Sequence, residues 1–139
     1  DGRWAEVLIG PERIKTTYAF KSLLDANATV VFSSDWPVAP ASPILGIYAA
    51  TTRQTLDGKH PEGWVPKEKI TASQALKAYT KDAAYSSFDE NNKGTLAKGK
   101  LADFVVLSED LTTLDPKKIK DVMVLQTFVG GKKVYEKIP

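Results

Sequence analysis

An apolar run that ends on a carboxylate is the first place in this chain where chemistry could sit. Thr29-Val30-Val31-Phe32 is short and β-branched, and it stops at Ser33-Ser34-Asp35, with Trp36 and Pro37 next. Runs of this kind are typical of parallel strands covered on both faces. α/β folds place their active sites just past the C-terminal ends of such strands. A carboxylate there can ligate a metal or take a proton from a metal-bound water. The same residue can instead cap the Trp36-Pro37 turn, as Asp often does. The local sequence leaves both readings open. Trp36 either lines a pocket beside Asp35 or covers a rim.

The other candidates offer less. His60 is the only histidine, and it lies in the Gly- and Pro-rich stretch Leu56–Pro66, so a surface position is expected. Arg13, Lys21 and Arg53 could hold an anion, but solvated or salt-bridged roles are the simpler expectation. Asp103 precedes an apolar strand and reads as structural. There is no phosphate-binding glycine loop, no nucleophile elbow and no Cys/His cluster.

Composition narrows the classes. The 139 residues suit one ordinary domain, with 42% apolar and 26% charged residues. A net charge of +2 is too small to imply a nucleic-acid partner. The lysine pairs Lys117-Lys118 and Lys132-Lys133 are broken by apolar neighbours and read as solvated faces. With no cysteine, disulfides and thiolate chemistry are excluded. No apolar run approaches the roughly 18 residues of a membrane span. The start, Asp1 to Glu6, has neither a signal-peptide core nor an initiator methionine. A chain that begins inside a longer one is therefore expected, although processing gives the same start.

Around Asp35 the elements read as an alternation. Gly10-Pro11 looks like a helix start, with an apolar stripe of Tyr18, Phe20, Leu23 and Leu24 and a left-handed stop at Asn27. Ser42 and Pro43 open a second helix as cap and first residue. Thr71-Ala72-Ser73-Gln74 fits a capping box, and a short helix follows over Lys81–Phe88. Ala102–Leu107 and Val122–Val129 read as strands. Gly130-Gly131 reads as a tight turn into Lys132–Glu136, and Asp115-Pro116 opens at most one helical turn through Ile119. The character changes near Asn91–Gly94, giving an α/β part over 1–92 and a mostly β part over 93–139. One strand with its helices cannot close a sheet, so the pattern looks like the end of a larger architecture.

Two stretches carry a resemblance. They are YAFKSLLDANATVVFSSDWPVAPASPILGIYAATTRQ, Tyr18 to Gln54, and KGTLAKGKLADFVVLSEDL, Lys93 to Leu111, followed by VLQTFVGGKKVYE, Val124 to Glu136. RWAEVLIGPER at the start agrees with them. Together they resemble the C-terminal part of the amidohydrolase superfamily, in amidohydrolase family 3, the branch with N-substituted formamide deformylase-like proteins.

The resemblance implies an α/β fold. Residues 1–92 would be the last strand and helices of a metal-dependent (β/α)8 barrel, and residues 93–139 part of a β-sandwich beside it. It implies that Asp35 is a metal ligand and the catalytic proton acceptor, that Trp36 borders the substrate, and that a divalent metal, zinc in the usual pattern, serves the complete protein. The implied substrate is a small molecule with an amide-type C–N bond. The family's histidine ligands stand on earlier strands and match nothing here; His60 is not at a ligand position. The 139-residue chain alone is therefore expected to be inactive. Its open edge would meet the remainder of the barrel or a second copy. A competing expectation is a non-catalytic interaction module that uses that edge. Another is a self-contained α/β domain whose Thr29 strand pairs with the C-terminal strands.

Overall fold

The computed structural model describes residues 4–138; Asp1, Gly2, Arg3 and Pro139 lie outside the described residues. The elements run α1 (Ala5–Arg13), α2 (Phe20–Asp25), α3 (Pro43–Thr52), α4 (Ala72–Tyr79) and α5 (Lys81–Ser86), then β1 (Phe104–Leu107), β2 (Val124–Val129) and β3 (Lys132–Glu136). Short 3₁₀ turns stand at Ile14–Thr16, Pro66–Glu68 and Pro116–Asp121.

α3 is apolar all round because both of its sides are used. Ile44, Ile47 and Tyr48 face a core shared with Ile70, Ala75, Leu111, Ile119 and Val122. Leu45, Gly46, Ala49 and Arg53, one to four residues apart, share another side that lines a cleft. Pro43 stands at its first turn as expected, where a missing N–H costs nothing. Ser42 is at the cap position, but its hydroxyl makes no capping bond. The helix stops where Arg53 turns left-handed, at φ 59°.

Arg53 is the largest departure from expectation. It is only 7% exposed and forms no ion pair among the described residues. Its Nε donates to the Trp64 carbonyl at 2.9 Å, and its two terminal nitrogens donate to the Tyr18 and Thr17 carbonyls at 3.0 and 3.3 Å. The guanidinium also lies over the rings of Trp64 and Phe20, at 5.2 and 5.7 Å. Its own carbonyl accepts from Trp64 N–H at 2.7 Å. One side chain thus ties the end of α3 to the loop before α2 and to the long loop before α4. Gly63, at φ 91°, lets that loop pass close; a Cβ there would stand 2.5 Å from the Thr52 carbonyl.

Glu68 completes the tie. It is 2% exposed and accepts from the Ser22 hydroxyl at 2.6 Å and the Ser22 N–H at 2.9 Å. The Ser22 hydroxyl does most to hold its carboxyl below the ordinary value of 4.5. Burial opposes this, and the Ser22 amide, Lys67 and Arg53 add to it. Burial pulls the Arg53 guanidinium down from its ordinary value, with the Glu68 charge opposing.

Several local signals are borne out. Thr71 and Gln74 form both halves of the capping box, at 3.1 and 2.9 Å. Asn27 is left-handed, at φ 61°. Gly130 and Gly131 take φ 56° and 76°, and β2 and β3 pair antiparallel through them. β1 joins β2 to complete a sheet of order β1-β2-β3. Its first two expected residues hold the turn instead: Asp103 accepts from Gly130 N–H at 2.6 Å, and the Ala102 carbonyl accepts from Gly131 N–H at 2.9 Å. Asp103 is thus structural, as expected. The strand expected from Val122 begins only at Val124, since Val122 N–H bonds the Ile119 carbonyl in the turn before it.

Other expectations are corrected. The stripe from Tyr18 to Leu24 is not one helix, because Tyr18 has φ 51° and α2 starts only at Phe20. The Gly10-Pro11 start holds in part: Gly10 is non-helical at φ 79° and ψ 166°, a new turn begins at Pro11, and a helical stretch over Ala5–Ile9 precedes it. Thr29–Phe32 is extended sequence without a strand: no described residue offers it a ladder partner, and the C-terminal sheet does not include it. Its burial is one-sided. Val30 is 8% exposed and Val31 is 40% exposed.

Residues on both sides of Asn92 contribute to the α3 core, with Ile119 fully buried against it. Ile119→Ala should therefore cost about 2–5 kcal/mol. Urea unfolding followed at once by a helix probe and a sheet probe checks this. A neutral Ile119→Ala, or two separate transitions, would mean that the 1–92 and 93–139 parts are energetically independent. Glu68→Gln should cost roughly 1.5–3 kcal/mol at pH 7. Because the folded carboxyl is held low, this stabilisation is fully present above about pH 4.5 and is lost as pH falls through the folded value. The gap in Tm between wild type and Glu68→Gln should narrow with acid; a gap constant from pH 7 to pH 3 would contradict it.

Candidate active site

The extended segment leads directly to Asp35. Phe32 is held edge-on between two rings, Phe20 at 4.7 Å and Tyr79 at 5.4 Å. Its N–H donates to the Ala78 carbonyl in the last turn of α4, at 3.2 Å. Three residues later the chain turns left-handed at Asp35, φ 52°, a conformation that Asp tolerates better than most residues. Asp35 N–H donates to the Ser33 hydroxyl at 3.2 Å, and the Asp35 carbonyl accepts from Val38 N–H at 2.8 Å.

That geometry separates the two readings of Asp35. The turn is closed by its backbone carbonyl, and its carboxylate accepts no hydrogen bond among the described residues. The side chain is therefore exposed and available at the mouth of a cleft of about 580 Å³. Ser33 and Ser34 stand beside it, Pro40 and Ser42 come from the following loop, and Phe32 and Tyr79 line the apolar interior. Burial pushes the Tyr79 phenol above its ordinary 10.0.

The remaining candidates do not gather there. Trp36 is 71% exposed and does not line the cleft, although its neighbours Asp35 and Val38 do. His60 is half-buried in its loop, left-handed at φ 54°, with its carbonyl accepting from Gly63 N–H at 2.7 Å. Arg13 donates to the Ile9 carbonyl at 2.9 Å, and Lys21 pairs with Asp25 at 2.6 Å, as expected of structural cations. Sequence reasoning passed over Tyr79 and Glu68. Gly46 was the available signal for Tyr79: a glycine inside an apolar helix leaves room for something, and here it is the Tyr79 ring.

A divalent metal of the kind implied by the resemblance usually takes three protein ligands. Among the described residues no three His, Cys, Asp or Glu side chains come together. The residues present do not by themselves fit such an ion. Asp35 offers one carboxylate.

Comparison with known proteins agrees with the local motifs. The chain is 41% identical over 128 residues to "Protein LONG AFTER FAR-RED 3" of Arabidopsis thaliana, covering 91% of this chain and 21% of that protein. It is 32% identical over 137 residues to the putative amidohydrolase YtcJ of Bacillus subtilis, covering 99% and 26%. It is 32% identical over 120 residues to the N-substituted formamide deformylase of Arthrobacter pascens, covering 86% and 22%. The chain thus spans about a fifth to a quarter of the length of these curated relatives. In fold it matches an amidohydrolase from Thermotoga maritima with a TM-score of 0.65 at 18% identity, covering 86% of this chain and 26% of that structure. The model of the amidohydrolase family matches residues 1–135, and the chain belongs to that family.

Proposed function

We propose that this chain supplies the catalytic carboxylate of a hydrolase acting on a non-peptide C–N bond. The observation that carries this is the placement of Asp35. It follows an extended segment at the mouth of a cleft, with a carboxylate that no described residue engages. Family membership supports the reaction class, and the formamide deformylase of Arthrobacter pascens supports an amide or formamide substrate. A divalent cation, zinc in the family pattern, is the group that would supply an activated water. Its remaining ligands would come from outside the described residues, so this chain alone is inactive in our reading. Asp35 would take a proton from the water as its oxygen bonds the substrate carbonyl carbon, and would pass that proton to the nitrogen as the C–N bond breaks. The loop from Val38 to Ser42 borders the substrate, with Trp36 beside it.

The test uses the complete natural polypeptide that carries this chain and a panel of N-substituted formamides, simple amides and cyclic amides. Asp35→Asn should lower kcat by about 10²–10⁴-fold, the usual contribution of a positioned acid–base group. Hydrolysis at the parent rate by Asp35→Asn would remove the role assigned to that carboxylate.

A second reading rests on a different observation. Val31 is 40% exposed on a segment without a ladder partner. Such an edge is a template for pairing with another strand. In this reading the chain docks there onto the rest of a barrel or onto a second copy. Sedimentation as a monomer at micromolar concentration, without binding of an apolar dye, would overturn it.

A further inference from the structure

Among the described residues the segment that carries Asp35 has no ladder partner, and its hold on this chain rests on a few contacts. From Ala28 to Asp35, the Phe32 N–H to Ala78 carbonyl bond is the one main-chain hydrogen bond to α4 among the described residues. It answers a need on both sides. α4 ends with carbonyls that have no partner within the helix. Leu76 O accepts from the Thr80 hydroxyl, Lys77 O from Thr80 N–H, and Ala78 O from Phe32 N–H. The helix end and the unpaired segment therefore satisfy each other.

The adjacent side chains reinforce that bond. The Tyr79 ring meets Phe32 edge-on at 5.4 Å. On its far side, the hydroxyl end occupies the space that a side chain at Gly46 would fill. Tyr79 is thus wedged between α3 and the extended segment. From Phe32 to Asp35 is a lever of three residues, at most about 10 Å of chain. Phe32 is thus close enough along the chain for its place to limit where Asp35 can stand.

We propose that Tyr79 is a positioning residue for Asp35. Wedged against Gly46, it presses Phe32 into register with the end of α4, and this fixes where the Asp35 carboxylate stands. The proposal rests on the role given to Asp35 above. Tyr79 makes no bond to the reacting atoms; its ring carries the contact with Phe32.

The experiment uses the complete natural polypeptide with Tyr79→Ala, Tyr79→Leu and Tyr79→Phe, each alone and combined with Asp35→Asn. Kinetics are read well below the melting temperature, alongside amide hydrogen exchange of a peptide covering residues 29–35. Tyr79→Ala should lower kcat by about 10- to 100-fold, the scale of an ångström-sized misplacement. KM is read alongside, because the Tyr79 ring also lines the cleft. Tyr79→Phe keeps the ring and should lose much less kcat than Tyr79→Ala, and Tyr79→Leu keeps a readout if the alanine variant fails to fold. In the Asp35→Asn background Tyr79→Ala should cost nothing further, because its effect passes through that carboxylate. Exchange at 29–35 should quicken in Tyr79→Ala and not in Tyr79→Phe.

An equal loss in both backgrounds would overturn the proposal, as would unchanged exchange in Tyr79→Ala. If Asp35→Asn alone keeps the parent rate, the role of Asp35 falls, and the exchange result decides the anchor by itself. Faster exchange then upholds Tyr79 as the anchor of the segment, and unchanged exchange overturns that too.

Discussion

The buried Arg53 guanidinium is the constraint on which the rest of the chain depends. Burying a charge is costly unless it is hydrogen-bonded. Here three backbone carbonyls from two separate loops do that work. Neither loop belongs to a sheet or a long helix, so these bonds, with the Trp64 N–H to Arg53 carbonyl bond and the Ser22–Glu68 pair, hold them near the end of α3. The carbonyls gain a charged donor and the guanidinium gains acceptors in a fixed fork, a geometry that lysine cannot reproduce. Two rings add cation–π contact on its faces. Glu68 places an opposing charge in the same region, and Ser22 fixes it there. Electrostatics thus organise the loops, while apolar packing organises the other side of α3.

The extended segment shows what backbone polar groups do when a ladder is missing. A strand is a relation between neighbours, and Thr29–Phe32 has none among the described residues. Its composition is right for a strand, with β-branched residues and alternating burial. What it lacks is a second chain of carbonyls and amides. The end of α4 supplies one acceptor, and the ring contacts through Phe32 supply the rest of the hold. Beyond that point the backbone turns left-handed at Asp35, and the carboxylate is left for another use.

What the sequence made legible follows from range. The capping box at Thr71 and Gln74 spans four residues and closes on itself, so it reads without knowledge of the fold. The same is true of Pro43 at a helix start, of the left-handed Asn27 and of the Gly130-Gly131 turn. The place of Asp35 after an apolar run was also readable, because it depends on a few adjacent residues. Arg53 was not: its partners lie 11, 35 and 36 residues away, and nothing local marks them. Glu68 and Ser22 stand 46 residues apart, so nothing local marks this carboxylate as buried. The Thr29–Phe32 run has the composition of a strand, but strand formation is decided by a partner elsewhere, and none stands among the described residues.

α3 joins these observations. Its side toward Ile119 carries large apolar residues, Ile44, Ile47 and Tyr48, and the side toward the cleft includes the small Gly46 and Ala49. A helix chosen only for stability would not carry glycine at position 46, since glycine costs roughly 1 kcal/mol there relative to alanine. The cost is accepted because a Cβ at that point would overlap the Tyr79 hydroxyl. Tyr79 in turn needs that position to reach Phe32. The weakest residue of the helix is therefore the one that lets α4 touch the segment before Asp35. Stability on one face of α3 and placement of the carboxylate on the other are bought with the same ten residues.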